Sequence, residues 1–248
     1  MSESTSGSAP AGGARQRPSY AAWIERIFDH APDTRSLFLK MVNGTPPAFI
    51  PGMFISISIP LPGETRVRPY TITSSPEDGE PFEICFNRVP GGPGVAYLFE
   101  RGVDEVLNFT GPFGAFTLDR PPNAETVFIA EGTAIAPIRP MIRRMLARNS
   151  IHPIHLLYAA DRAEHILYRG EVEQWRSAHP EFHFETMITV RSEIDPHLLD
   201  EIRRRWVDAD GDRSRHFYVC GVGKGVLRIR DLLRGAGYER RAVHYEQW

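Results

Sequence analysis

Two short segments of this chain carry residue types able to hold a nucleotide. Arg68-Pro69-Tyr70-Thr71-Ile72-Thr73-Ser74 brings a forked cation, an aromatic ring and hydroxyls together. Read as a strand, it is expected to turn the cation, the ring and a hydroxyl to one face, which suits the phosphate and flat ring of a flavin. The second segment, Gly132-Thr133-Ala134-Ile135-Ala136-Pro137, follows the apolar run Val127-Phe128-Ile129-Ala130 and precedes the amphipathic stretch Pro137 to Leu146. It reads as a small-residue turn from a strand into a helix N-terminus, where free N–H groups favour anions. A dinucleotide pyrophosphate fits such a turn.

Positioning these residues requires two kinds of element. From Tyr20 to about Leu118, short strands are predicted at Trp23 to Phe28, Ser36 to Met41, Met53 to Ile59, Arg68 to Thr73 and Phe82 to Arg88. The turns between them are rich in Pro, Gly and Asn, as in Asn43-Gly44 and Pro62-Gly63. Strands at this spacing suggest a small antiparallel barrel. Past Pro121-Pro122, strand-like runs alternate with helical ones: Thr126 to Ala130 and a helix to Ala147; Ile154 to Tyr158 and Tyr168 to Ser177; Phe182 to Thr189 and His197 to Trp206; His216 to Cys220 and Val226 to Arg234. That alternation predicts an α/β domain with a doubly wound parallel sheet. The expected domains are residues 18–120 and 124–248, after a Ser, Gly, Ala and Pro-rich tail at residues 1–17.

Composition narrows the function classes. The 248 residues, 42% hydrophobic and 24% charged, are those of a globular protein with room for two domains. A formal net charge of -2 gives no support to nucleic acid as a partner. No apolar run approaches the ~20 residues that span a bilayer, and residues 1–17 lack the apolar centre of a secretory signal. No membrane association and a cytoplasmic location are therefore expected. Cys85 and Cys220 are the only cysteines, too few for a four-cysteine iron–sulfur cluster. No metal site is predicted, since the histidines lack ligand spacing.

The first segment resembles the flavin motif Arg-x-Tyr-Ser of the ferredoxin–NADP reductase family. The resemblance implies that Arg68, with Pro69, holds the pyrophosphate of FAD, that Tyr70 stacks on the isoalloxazine, and that Thr71, in place of Ser, faces its N5. Gly91-Gly92-Pro93-Gly94-Val95-Ala96 is similar to the family's Gly-rich turn into a short helix over the flavin pyrophosphate, which assigns Gly92, Gly94, Val95 and Ala96 to FAD. Val95 stands where the family carries a hydroxyl. Gly111-Pro112-Phe113-Gly114 resembles the turn that closes the flavin barrel. Gly132-Thr133-Ala134 resembles the nicotinamide-domain motif with Ala134 for its middle glycine. A Cβ there restricts φ and crowds a pyrophosphate, so coenzyme binding is expected to be weaker or shifted, while Thr133 also touches FAD.

Further along, Leu156 to Arg162 resembles the family's second strand; many relatives carry Arg where Asp161 stands, and Arg162 is either its displaced substitute or a solvated charge. Arg191 and Ser192 fall where relatives that select NADPH hold its 2′-phosphate, although such loops are also often simply exposed. Cys220-Gly221 is similar to the family's Cys-Gly-Pro segment beside the hydride path; otherwise a cysteine ending a strand is packing. Glu246-Gln247-Trp248 matches a terminal Glu-x-aromatic, which implies that Trp248 stacks on the flavin opposite Tyr70 and must move for nicotinamide. Glu246 is implied to be a proton relay or charge-positioning group.

The expected function is an FAD enzyme moving electrons between NADPH or NADH and a separate carrier, ferredoxin or flavodoxin. Arg66, Arg139, Arg143, Arg144 and Arg148 either offer positive charge to steer an acidic partner or are simply solvated surface charges. Two alternatives stand beside it: a free-flavin reductase or diaphorase, and a non-catalytic electron-transfer or regulatory subunit, which Ala134, Val95 and Asp161 favour.

Overall fold

Strict alternation of Ile55, Ile57 and Ile59 with serines makes β3 (Phe54–Leu61) a strand with one inward face, and all three isoleucines are fully buried. The structure, a computed structural model, describes residues 18–79, 81–88, 91–189 and 196–248. The predicted tail lies outside the described residues, as do Arg191 and Ser192. Strands β1 (Ser19–Ala31), β2 (Thr34–Met41), β4 (Glu64–Thr71), β5 (Phe82–Asn87) and β6 (Val106–Phe113) join β3 in an antiparallel sheet of order β4-β3-β6-β1-β2-β5. Ile72, just past β4, bridges Ile84 of β5, so the two ends of the sheet meet as a barrel. Leu98 of helix α1 (Pro93–Phe99) is fully buried in the cluster that also holds Ile24, Leu37, Ile57 and Phe109.

Strand β6 was not among the predicted strands, because Gly111-Pro112 reads as a turn and both residue types are depleted in strands. In the structure that pair lies near the end of β6, which pairs with β1 on one side and β3 on the other.

The second sheet is built from β7 (Thr126–Glu131), β8 (Ile154–Ala160), β9 (Phe182–Ile188), β10 (His216–Gly221) and β11 (Val243–Gln247). All are parallel, in the order β11-β10-β7-β8-β9. Helices α2 (Ile135–Ala147) and α3 (Arg169–Ala178) pack on one face with Phe128, Leu156 and Tyr218. Helices α4 (Pro196–Trp206) and α5 (Gly225–Gly235) cover the other with Val127, Leu157 and Phe217. Central strands with apolar residues on both faces are what a doubly wound sheet requires. Pro140 removes one backbone donor from α2. The helix continues through it, with Ile135, Ile138, Met141, Ile142 and Met145 fully buried. Among the described residues no helix is long and apolar enough to cross a membrane.

Candidate active site at the cleft between the sheets

Arg68 sits near the end of the edge strand β4 and is exposed. Its guanidinium donates to the neighbouring Val67 carbonyl at 3.0 Å, and among the described residues no carboxylate pairs with it. A phosphate could take that open fork. Gly94, the second residue of α1, explains how the helix comes so close: a Cβ there would stand 2.9 Å from Ile59 Cδ1, 3.2 Å from Arg68 Cγ and 3.7 Å from the Tyr70 hydroxyl. The structure thus brings Arg68, Tyr70 and Gly94 together. Gly92 caps α1, Val95 packs partly onto the barrel core, and Ala96 faces solvent.

Tyr70 is first a core residue. It is 8% exposed, its ring meets Phe86 edge-on at 5.5 Å, and burial pushes its phenol up to about 12 against the pull of Arg68. Thr71 corrects the expected one-sided array. Successive strand residues face opposite ways, so Arg68 and Tyr70 share one face and the buried Thr71 lies on the other.

Across the cleft, Glu131 ends β7 and the chain turns through a 3-10 segment, Gly132–Ala134, into α2. Gly132 has φ 56°, the left-handed region that glycine enters without strain. Its carbonyl accepts from the Tyr158 hydroxyl at 2.8 Å, and that hydroxyl also takes the Leu167 N–H at 3.1 Å. The φ restriction expected of a Cβ at Ala134 is not felt, since its φ is -65°, which any residue adopts, and its methyl is fully buried in the α2-side core. Thr133 reaches toward the barrel, with its hydroxyl 3.4 Å from Asn87 Oδ1.

The register of β10 against β11 sets Cys220 opposite Glu246, at the C-terminal ends of parallel strands. Cys220 is 2% exposed; burial and then the Glu246 charge push its pKa well up, so it is a neutral thiol. Burial also raises the Glu246 carboxyl, partly offset by the Trp248 indole N–H, which donates to it at 3.1 Å. Trp248 is not frayed. Its N–H donates to the Gly221 carbonyl at 3.0 Å and its carbonyl accepts from Gly223 at 3.3 Å, while the residue stays 43% exposed. Gly221 lies close to Glu131, which sequence reasoning did not single out.

The five arginines expected to offer positive charge to a partner each have contacts within the chain. Arg139 is only 11% exposed along its side chain. It donates to the Thr73 carbonyl and to Glu83, each at 2.9 Å, and takes Glu171 in two bonds of 2.6 and 3.2 Å. Burial opposes its charge, but Glu171 and Glu83 outweigh that and raise its pKa. Arg143 pairs with Asp78, Arg144 with Glu77 and Asp119, Arg66 with Glu64, and Arg148 donates to the Asp119 carbonyl. Arg162 pairs with Asp33 of the barrel at 3.4 Å and with Glu164 at 3.6 Å. His165 binds Asp161 at 2.5 Å and Asp33 at 3.0 Å. A glutamate inside the apolar run Phe82-Glu83-Ile84-Cys85-Phe86 was the signal available for this network, because a buried carboxylate needs partners.

An antiparallel barrel with an open arginine beside a glycine-backed helix, followed by a doubly wound parallel sheet, is the architecture of a two-domain nucleotide-binding protein. The oxidoreductase FAD-binding domain matches residues 25–118 and the oxidoreductase NAD-binding domain residues 128–228. The chain is 30% identical over 242 residues to the ferredoxin–NADP reductase B of Sorangium cellulosum, covering 94% of this chain and 99% of that one. It belongs to the ferredoxin–NADP reductase family, FAD-dependent enzymes that use NAD(P)H. The same fold recurs in a cytochrome P450 reductase of Amycolatopsis (TM-score 0.80, 24% identity, 94% of this chain and 71% of that one). A ferredoxin–NADP reductase of Neisseria gonorrhoeae with bound FAD and NADP also shares it (TM-score 0.78, 15% identity, 92% of this chain and 98% of that one).

Proposed function

We propose that this protein takes hydride from NADPH or NADH at the cleft between the sheets and delivers electrons singly to a separate acidic carrier of the ferredoxin or flavodoxin type. The observation that carries this reading is the register of β10 on β11, which gathers Cys220, Glu246 and Trp248 at one strand end. FAD, when bound, is the group that accepts a hydride and releases single electrons. On the barrel side, Arg68 with Pro69 takes a phosphate, Tyr70 borders the ring from the Arg68 face and Thr71 from the opposite face of the strand end, and Gly92, Gly94, Val95 and Ala96 supply the backbone along the rest, with Thr133 reaching across.

On the coenzyme side, the Gly132-Thr133-Ala134 turn and Gly221 receive the dinucleotide. The neutral Cys220 thiol shapes the floor beside the reacting carbon without adding charge to it. Glu246, whose carboxyl burial raises, is the proposed proton relay or charge-positioning group. Trp248 covers the place that the nicotinamide needs and yields it on binding. Arg191 and Ser192 are the proposed 2′-phosphate ligands and make NADPH the preferred coenzyme; Arg162 assists only if its contact with Asp33 opens. The soluble setting suggested by composition is the cytoplasm.

Oxidation of NADPH by the FAD-loaded protein with ferredoxin, flavodoxin or free FMN as acceptor tests this. Faster reduction of a carrier protein than of free FMN is expected. The reverse order favours a free-flavin reductase, and no coenzyme oxidation with any acceptor favours a non-catalytic subunit.

A further inference from the structure

Resting on the reading that hydride crosses this cleft, we propose that Arg139 is a positioning residue that sets the separation between the coenzyme turn and the flavin strand. Arg139 stands one helical turn into α2, the helix that begins at the Gly132–Ala134 turn. Its guanidinium reaches the other side of the cleft at Thr73, two residues past Thr71. Thr73 is itself tied into that strand end: its N–H donates to the Glu83 carbonyl at 2.7 Å, and its hydroxyl lies 3.4 Å from the Thr71 carbonyl. A displacement of Arg139 is therefore passed to both halves of the site at once.

The guanidinium has little freedom to drift. Glu83, with its side chain 3% exposed, is fixed by the Tyr168 hydroxyl at 2.6 Å and the Ser36 hydroxyl at 2.5 Å. Glu171 of α3 grips Arg139 from the opposite side in a bidentate pair, and the Tyr168 ring lies 4.4 Å from the guanidinium carbon. A planar fork with five donors serves these acceptors together; the three donors of a lysine ammonium radiate from one atom and cannot. Arg143 and Arg144 also bridge to the barrel, but to Asp78 and Glu77 on the short 3-10 segment that follows the strand end, and Arg143 lies 3.7 Å from Glu171; it is Arg139 that bonds Thr73 itself. Hydride transfer is steeply sensitive to the approach of donor and acceptor, and a misplacement of about 1 Å costs up to roughly 100-fold in rate.

The test uses Arg139→Lys and the milder Glu171→Gln in the full chain. Anaerobic stopped flow gives the flavin reduction rate at saturating NADPH and NADH, and titration gives coenzyme affinity and the charge-transfer absorbance of the stacked rings. Hydrogen exchange on the apoprotein gives a readout independent of turnover. We expect the reduction rate per bound flavin to fall about 10- to 100-fold in Arg139→Lys, with FAD content and coenzyme affinity within about twofold of wild type. Charge-transfer absorbance should weaken, and exchange should quicken at Thr71–Ser75 and Gly132–Ile135 but not in β1 and β2. Glu171→Gln should show the same pattern to a lesser degree. Rates within about twofold of wild type in both variants, or a rate loss fully explained by lost FAD or lost fold, overturn the assignment. If neither coenzyme reduces the wild-type flavin, the hydride reading falls; if wild type is reduced normally and the variants match it, only the role of Arg139 falls.

Discussion

Replacing Arg68 with alanine should separate cofactor binding from folding. The side chain lies on an edge strand, is exposed, and donates only to the adjacent Val67 carbonyl among the contacts described. Its loss should therefore change the stability of the apoprotein by no more than about 0.5 kcal/mol. Its fork has no carboxylate partner, so a bound phosphate gains a charge-assisted contact, worth roughly 1.5 to 3 kcal/mol. At about 1.4 kcal/mol per factor of ten, FAD should bind some 10- to 150-fold more weakly. Arg68→Lys, which keeps the charge and loses the fork, should fall between. The assay is quenching of FAD fluorescence on titration of apoprotein, with thermal melts of the same apoproteins in parallel. An FAD Kd within about threefold of wild type for Arg68→Ala would refute the phosphate assignment, as would a fall in apoprotein stability large enough to account for the lost affinity.

Cys220→Ala should lower the flavin reduction rate per bound FAD and, because the thiol is buried in the α2-side core, destabilise the fold by about 1 kcal/mol; a melting shift without a rate change would reduce Cys220 to packing. Glu246 is expected to reveal itself through pH. Its folded carboxyl is raised by burial, so its ionised form weakens the fold: the stabilisation is complete below the unfolded pKa and is lost as pH rises through the folded one. Glu246→Gln should then melt higher than wild type at neutral pH, with the gap closing as pH falls toward about 4, the ordinary glutamate range; a gap independent of pH contradicts this. Deleting Trp248 should tighten binding of NADP+ and NAD+ in difference-spectral titrations, since the unliganded face no longer has to be cleared; unchanged affinity for both would remove the gate.

The sheet of the second domain was legible because its strands and helices carry different periods. Val127 to Ala130 and Phe217 to Cys220 are apolar on both faces, while α4 shows its buried Leu198, Ile202 and Trp206 at helical spacing. In the barrel, Ile55, Ile57 and Ile59 announced β3 in the same way. β6 stayed hidden because Gly111-Pro112 carries the chemistry of a turn. The motifs did not show which way their residues face: the period of two puts Thr71 opposite Tyr70, and the positive φ of the Gly132–Ala134 turn falls at Gly132 while Ala134 is ordinary helical backbone. The network around Arg139 was illegible for a different reason. Its partners Thr73, Glu83 and Glu171 come from three distant elements, and a cation on an amphipathic helix looks solvated until the element packed over it is known.

The most direct measurement is an anaerobic titration of the FAD-loaded protein with NADPH and with NADH, followed by the visible flavin spectrum. One equivalent of coenzyme per FAD should bleach the oxidised flavin band, and NADPH should do so at the lower concentration. A flavin that stays oxidised with excess of either coenzyme, yet bleaches with dithionite, would contradict hydride transfer at the cleft that holds Cys220, Glu246 and Trp248.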